Sequence, residues 1–160
     1  MKTVVHERLP NNPNGSELSV EFKHIGILVN DLDKTLGHMK GLPDFQWDGT
    51  VAEWERPKEK MIVGNGYKGR AAYVAFGGIT IEIIQPLVDY SFHADAIKAR
   101  GEGIHHICYN VKDDFDRIVR EFDGDKYQIV AQWESDVGRT VFIQSKEDGT
   151  IYEFTGTLKA

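Results

Sequence analysis

Two histidines and two glutamates stand out by the company they keep. His24 leads the run KHIGILVNDLD (23–33) and His106 leads HHICYNVKDDFD (105–116); both read as a strand passing into an acidic helix start. Glu82 sits inside ITIEIIQPL (79–87) and Glu153 inside TIYEFTGTL (150–158), each a carboxylate bracketed by apolar residues. Alternate residues of a strand face opposite sides. Ile25, Ile27 and Val29 therefore share one face while His24 takes the other, and Ile107, Tyr109 and Val111 oppose His106 in the same way. Ile81 and Ile83 flank Glu82; Tyr152 and Phe154 flank Glu153. All four ligand-type groups are expected on the face away from packed helices. Neutral imidazole together with carboxylate suits one divalent ion (Zn, Ni, Co, Mn or Fe) and expresses no thiolate preference. His105 has the parity of Ile107 and is expected across the sheet, outside this set.

Four protein ligands on an octahedral ion leave two adjacent positions for water or a chelating substrate. A 1,3-dicarbonyl or hydroxy-carbonyl compound bound there would lose a proton from the neighbouring carbon, and the ion would stabilise the resulting enediolate. A carboxylate must take that proton, and Glu153 is the candidate base. Arg70 and Arg139, with Lys60 and Arg100 behind them, are candidates to meet a carboxylate or phosphate tail. Cys108 shares the parity of His106 and is expected to line the cleft as a small residue rather than as a nucleophile, since no base accompanies it. Trp47, Trp54 and Trp133 are candidates for the core or for the mouth of the cleft.

The elements that must bring these groups together repeat. The His-led and Glu-centred runs recur in the same order in each half, and an internal repeat of this kind organises the whole chain. Asp31 is placed to cap a helix carrying Leu32, Leu36 and Met39; Asp113 precedes a second stripe of Phe115, Ile118, Val119 and Phe122, stopped near Gly124. KMIVGN and RAAYVAF read as the strands after the first helix, YQIVAQW and TVFIQS as those after the second. Each half is thus β-α-β-β-β. A bridging helix is expected from about Asp89 to Arg100, before Gly101 and Gly103. The fold class is α+β: two tandem βαβββ modules, at about 21–88 and 103–157, curling one mixed sheet around a cleft. Residues 1–20 read as an arm or linker, since PNNPNGSE (10–17) holds turn formers with no apolar anchor, and residues 21–160 as a single domain.

Composition narrows the partners. The chain has 160 residues and a formal charge of −6, which argues against a nucleic-acid binder. Hydrophobic residues at 41% argue against a disordered chain. No apolar run approaches the roughly 20 residues of a membrane span, and MKTVVHERLPNN lacks the apolar stretch of a secretory signal, so a cytoplasmic location is expected. A lone cysteine forms no internal disulfide and no cysteine-based zinc cage.

With His24, Glu82, His106 and Glu153 in paired modules, the chain resembles the vicinal oxygen chelate (glyoxalase/bleomycin resistance/dioxygenase) superfamily over about residues 22–156. Its IGILVNDLD, IEIIQPL and GEGIHHICYNV are most similar to methylmalonyl-CoA epimerases, and bacterial glyoxalase I shares the two-His, two-Glu order. The resemblance implies a metal-dependent epimerase or isomerase working through a metal-stabilised enediolate. It also implies a homodimer and a small-molecule substrate, an acyl-CoA thioester among the candidates. A glyoxalase I-like lyase and a non-catalytic binding or resistance protein are the alternatives. Two stretches depart from the epimerase pattern. Its catalytic glutamate, before the strand leading to the first ligand Glu, aligns here with Gly64-Asn65-Gly66, leaving Glu53, Glu55 or Glu59 as substitutes. The first helix reads Lys34-Thr35-Leu36-Gly37-His38 in place of the usual Phe-Tyr pair.

Overall fold

Among the described residues, nine strands and three α-helices follow one another as a doubled unit, with one exception. The computed structural model describes residues 18–122 and 124–158, so the expected linker at 10–17 lies outside the described residues. The first half runs β1 (Glu21–Leu28), α1 (Leu32–Met39), β2 (Ala52–Arg56), β3 (Met61–Val63), β4 (Tyr67–Phe76) and β5 (Ile79–Pro86). Then come α2 (Phe92–Arg100), β6 (Gly103–Lys112), α3 (Phe115–Phe122), β7 (Tyr127–Ser135), β8 (Gly138–Ser145) and β9 (Ile151–Gly156). The fold is α+β. Asp31 accepts a hydrogen bond from the Lys34 N–H and starts α1, a cap worth about 1 kcal/mol. Ser91 does the same for α2 through the Ala94 N–H, and Gly101 ends that helix at a φ of 81°.

The strands form one mixed sheet in the order β2-β4-β5-β1-β6-β9-β8-β7-β3. The first module contributes β2-β4-β5-β1 and the second β6-β9-β8-β7, joined where β1 and β6 pair antiparallel. The exception is β3. KMIVGN was expected to be a strand of the first module, but Met61–Val63 pairs with β7 of the second. AEWER, in which Ala52 and Trp54 alternate with Glu53 and Glu55, supplies the first module's strand instead by pairing with β4. The chain thus crosses from one end of the sheet to the other through a 3-10 turn at Lys58–Lys60, and the sheet is nearly closed. Arg56 ties the crossing, donating from Nη1 to the Glu134 carbonyl oxygen at 3.0 Å while lying over the Trp133 ring.

Two apolar layers hold the helices on the outer face. Leu32 and Leu36 of α1 pack with Val29, Ala72, Val74 and Ile83. Phe115 and Ile118 of α3 pack with Val111, Val141, Ile143 and Phe154. α2 presents Ala96 and Ile97 to Leu28, Ala71 and Ile84 of the inner face, and Phe92 to Ala131, Phe142 and Ile151, so it sits at one end of the cleft.

Candidate metal centre

The register at the junction of the modules places the four groups. Gly26 of β1 pairs with Glu82 of β5 on one side and His106 of β6 on the other. One step along, Cys108 of β6 pairs with His24 of β1 and Glu153 of β9. The two rows are related by the repeat: His24 answers His106, Glu82 answers Glu153, and Gly26 answers Cys108. Each small residue stands opposite the other module's histidine. A Cβ on Gly26 would lie 2.0 Å from His106 Cε1, so only glycine admits that ring.

All four side chains are buried, and their donor atoms converge. His24 Nε2 lies 3.0 Å from Glu82 Oε2 and 3.2 Å from Glu153 Oε2. His106 Nε2 lies 3.5 and 3.2 Å from the same oxygens, and the two Nε2 atoms are 3.3 Å apart. Ligands held at about 2.0–2.2 Å from one ion stand at about these separations from each other. The donor set fits a divalent ion in a further respect. Glu153 Oε2 is buried and accepts no well-aligned hydrogen bond among the described residues, so a lone pair is left for the common point. The other side of His106 fits as well. Its Nδ1 lies 3.0 Å from His105 Nδ1, and donating there is the tautomer that frees Nε2 to bind a metal.

A family model for the Glyoxalase/Bleomycin resistance protein/Dioxygenase superfamily matches residues 23–142. The chain belongs to this superfamily. No curated protein matches it by sequence. Among solved structures it is similar to a hypothetical protein from Bacillus halodurans C-125, with 26% identity and a TM-score of 0.63, covering 89% of this chain and 97% of that one. The methylmalonyl-CoA epimerase from Mycobacterium tuberculosis shares 22% identity at a TM-score of 0.61, over 87% and 89% of the two chains. A Streptomyces coelicolor methylmalonyl-CoA epimerase in complex with 2-nitronate-propionyl-CoA shares 22% at 0.60, over 86% and 94%. The last two likenesses establish a common fold.

Within this superfamily fold the charges of the centre balance. Burial works against a charged His106, but Glu153 and Glu82 beside it carry its pKa up to about 9. His24 is raised for the same reason. Burial resists ionisation of Glu82, yet His106 and His24 pull it down to about 2, and Glu153 is also held low. Behind them, burial pushes His105 down to about 2 and His93 down to about 3, so both rings are neutral.

His105 departs from the alternation expected for it. Gly26 pairs with His106 but Ile27 with Ile104, so His105 is the extra residue of a β-bulge, and the bulge turns its ring beside His106. Arg70 and Arg139 do not line the cleft. Arg70 forms a bidentate pair with Asp33 of α1. Arg139 is buried over Phe115, donating to Asp116 and to the Thr157 carbonyl. Glu53 reaches back to Arg70 and Glu55 to Lys68, while Ala52 and Trp54 of the same strand line the cleft. Cys108 is fully buried, its thiol kept protonated by burial and by Glu153. Trp47 packs in the α1 layer. Trp54 and Trp133 line the cleft, which has a volume of about 270 Å³ and opens on Glu82 and Glu153.

One functional residue escaped the sequence reading. Tyr73 pairs with Glu82 across the β4–β5 hairpin, and its O–H donates to Glu82 Oε1 at 2.6 Å. The signal was present: a Gly77-Gly78 turn sets Phe76 against Ile79, and counting back sets Tyr73 against Glu82. In the second module the equivalent partner of Glu153 is Phe142, which has no hydroxyl to give.

Proposed function

We propose that this chain is a metal-dependent isomerase that moves a proton at a carbon next to a carbonyl, in the manner of a methylmalonyl-CoA epimerase, with Glu153 as the working base. Glu82, His24, His106 and Glu153 would hold the divalent ion. Bound there, it would supply Lewis-acid polarisation of a chelated carbonyl. The residues supply the rest. The observation that carries the reading is the inequality of the two carboxylates. Tyr73 fixes Glu82 by a short hydrogen bond, whereas Phe142, in the equivalent position, offers Glu153 no hydroxyl. Glu153 is therefore the carboxylate free to swing toward a substrate C–H, accept its proton and return it. Tyr67, Trp133 and Phe142 line the cleft beside that carboxylate, and a substrate seated against them would displace water and strengthen the charge interactions of the transfer.

A specific observation favours keeping a glyoxalase I-like reaction as the second reading. Glu53 and Glu55 face away from the cleft, so neither supplies an acid on the opposite face of the substrate. A single base suits transfer of a proton between neighbouring atoms better than two-base inversion. The test is solvent deuterium exchange by NMR on a 2-substituted malonyl thioester and on a hemithioacetal. Exchange is expected to need the metal and to fall by about 100-fold or more in Glu153→Gln. Tyr73→Phe should lose far less. Exchange with inversion supports the epimerase; exchange with conversion of the hemithioacetal supports the lyase. No exchange on either compound, with metal bound, makes the chain a binding protein.

A further inference from the structure

The cleft wall beside the carboxylates is aromatic and, among the described residues, contains no Lys or Arg. Trp54 comes from β2, Tyr67 and Tyr73 from β4, Trp133 from β7 and Phe142 from β8. The rings touch in sequence: Trp54 meets Tyr67 edge-on at 6.3 Å, Tyr67 meets Trp133 at 5.1 Å, and Trp133 stacks on Phe142 at 5.7 Å. Ile83 and Val141 of the outer face are wholly buried, but Trp54 and Trp133 are only half-buried and keep surface toward the cavity. Arg56 stands behind this wall and not in it, lying over the Trp133 ring and donating from Nη1 to the Glu134 carbonyl, with its buried Nε left without a hydrogen-bond partner among the described residues.

Size and charge together define what fills this space. A methyl substituent occupies little more than a water's share, about 30 Å³. In a cavity of about 270 Å³ it would leave most of the aromatic surface against water and forgo the gain from burying it. A flat ring fills the gap and meets the wall in the offset or edge-on contacts that aromatic pairs favour. Two carboxylates already neutralise a divalent ion, and among the described residues no Lys or Arg lines the cavity to meet a charged substituent. We infer that the site takes a 2-hydroxy or 2-oxo acid, or its thioester, whose substituent is an uncharged aromatic ring seated against Trp54, Tyr67, Trp133 and Phe142. This inference rests on the chelating site proposed above and adds the class of substrate.

Mandelate and lactate test it, because they share one chelating hydroxy-acid head and differ only in phenyl against methyl. Both are titrated calorimetrically into the zinc-loaded protein. Mandelate is expected to bind about tenfold tighter or more. Trp54→Leu and Trp133→Leu, checked for retained zinc and circular dichroism, should each cut that ratio to about twofold. Trp54 lies on the sheet's end strand, so its variant remains informative should Trp133→Leu fail to fold. Equal affinities, or a ratio unchanged in the folded variants, would overturn the inference while leaving the chelating site intact. Binding of neither acid by fully loaded protein would overturn both.

Discussion

At the scale of single residues, the centre depends on what is absent as much as on its ligands. Gly26 matters because nothing projects from it: His106 occupies the space a side chain would need. Gly26→Ala should drive the imidazole off the common point, lowering metal affinity on the order of 10- to 100-fold, as losses around a ligand commonly do. It should also destabilise the protein by about 1–3 kcal/mol through overpacking. Metal titration and thermal melts measure the two effects. Protons compete with the metal for the same atoms. Without metal, His106 keeps its proton up to about pH 9, well above the ordinary histidine range. Its pairing therefore stabilises the apoprotein fully below about pH 6.5 and is lost as pH rises through 9. Glu82 contributes in the opposite sense, its stabilisation disappearing as pH falls from about 4.5 toward 2. Metal uptake must then expel imidazole protons. Affinity should climb with pH up to about 9 and level off, with proton release seen by calorimetry in buffers of different ionisation enthalpy. Affinity independent of pH between 6 and 9 would contradict the charged histidine pair.

At the scale of elements, periodicity was a good guide wherever one face meets a helix and the other meets the cleft. β1, β5, β9 and β6 from His106 onward obey that alternation, which is why the four converging side chains were legible in the sequence. It failed where other constraints act. His105 defied parity because a bulge inserts one residue without changing the local pattern of residue types. β3 was legible as a strand but not in its partner, since three residues carry no information about which edge they join. Arg70 and Arg139 read as substrate cations because a sequence shows charge without showing the acid that meets it. Both tie a strand to the first turn of a helix, through Asp33 of α1 and Asp116 of α3. Arg139→Ala should therefore cost about 1–3 kcal/mol of stability, by loss of charge-assisted hydrogen bonds, while leaving the exchange reaction unchanged. A large rise in KM with no change in melting temperature would return Arg139 to the substrate.

At the scale of the whole molecule, one chain brings the four candidate ligands together, two from each module, and the crossing from β2 to β3 brings the sheet's two ends toward one another. A homodimer remains the expectation from the family resemblance, and the four converging side chains all come from one copy. Dilution to concentrations where any dimer separates, followed by light scattering, should leave the metal content per chain unchanged.

Elemental analysis of purified protein tests whether His24, Glu82, His106 and Glu153 form one divalent-metal centre. About one ion per chain is expected in the wild type. His24→Ala, Glu82→Ala, His106→Ala and Glu153→Ala, each folded by circular dichroism, should retain well under half of it after dialysis against a weak chelator. Full metal content in all four variants, or none in a wild type refolded with zinc, cobalt, nickel, manganese or iron supplied, would contradict it.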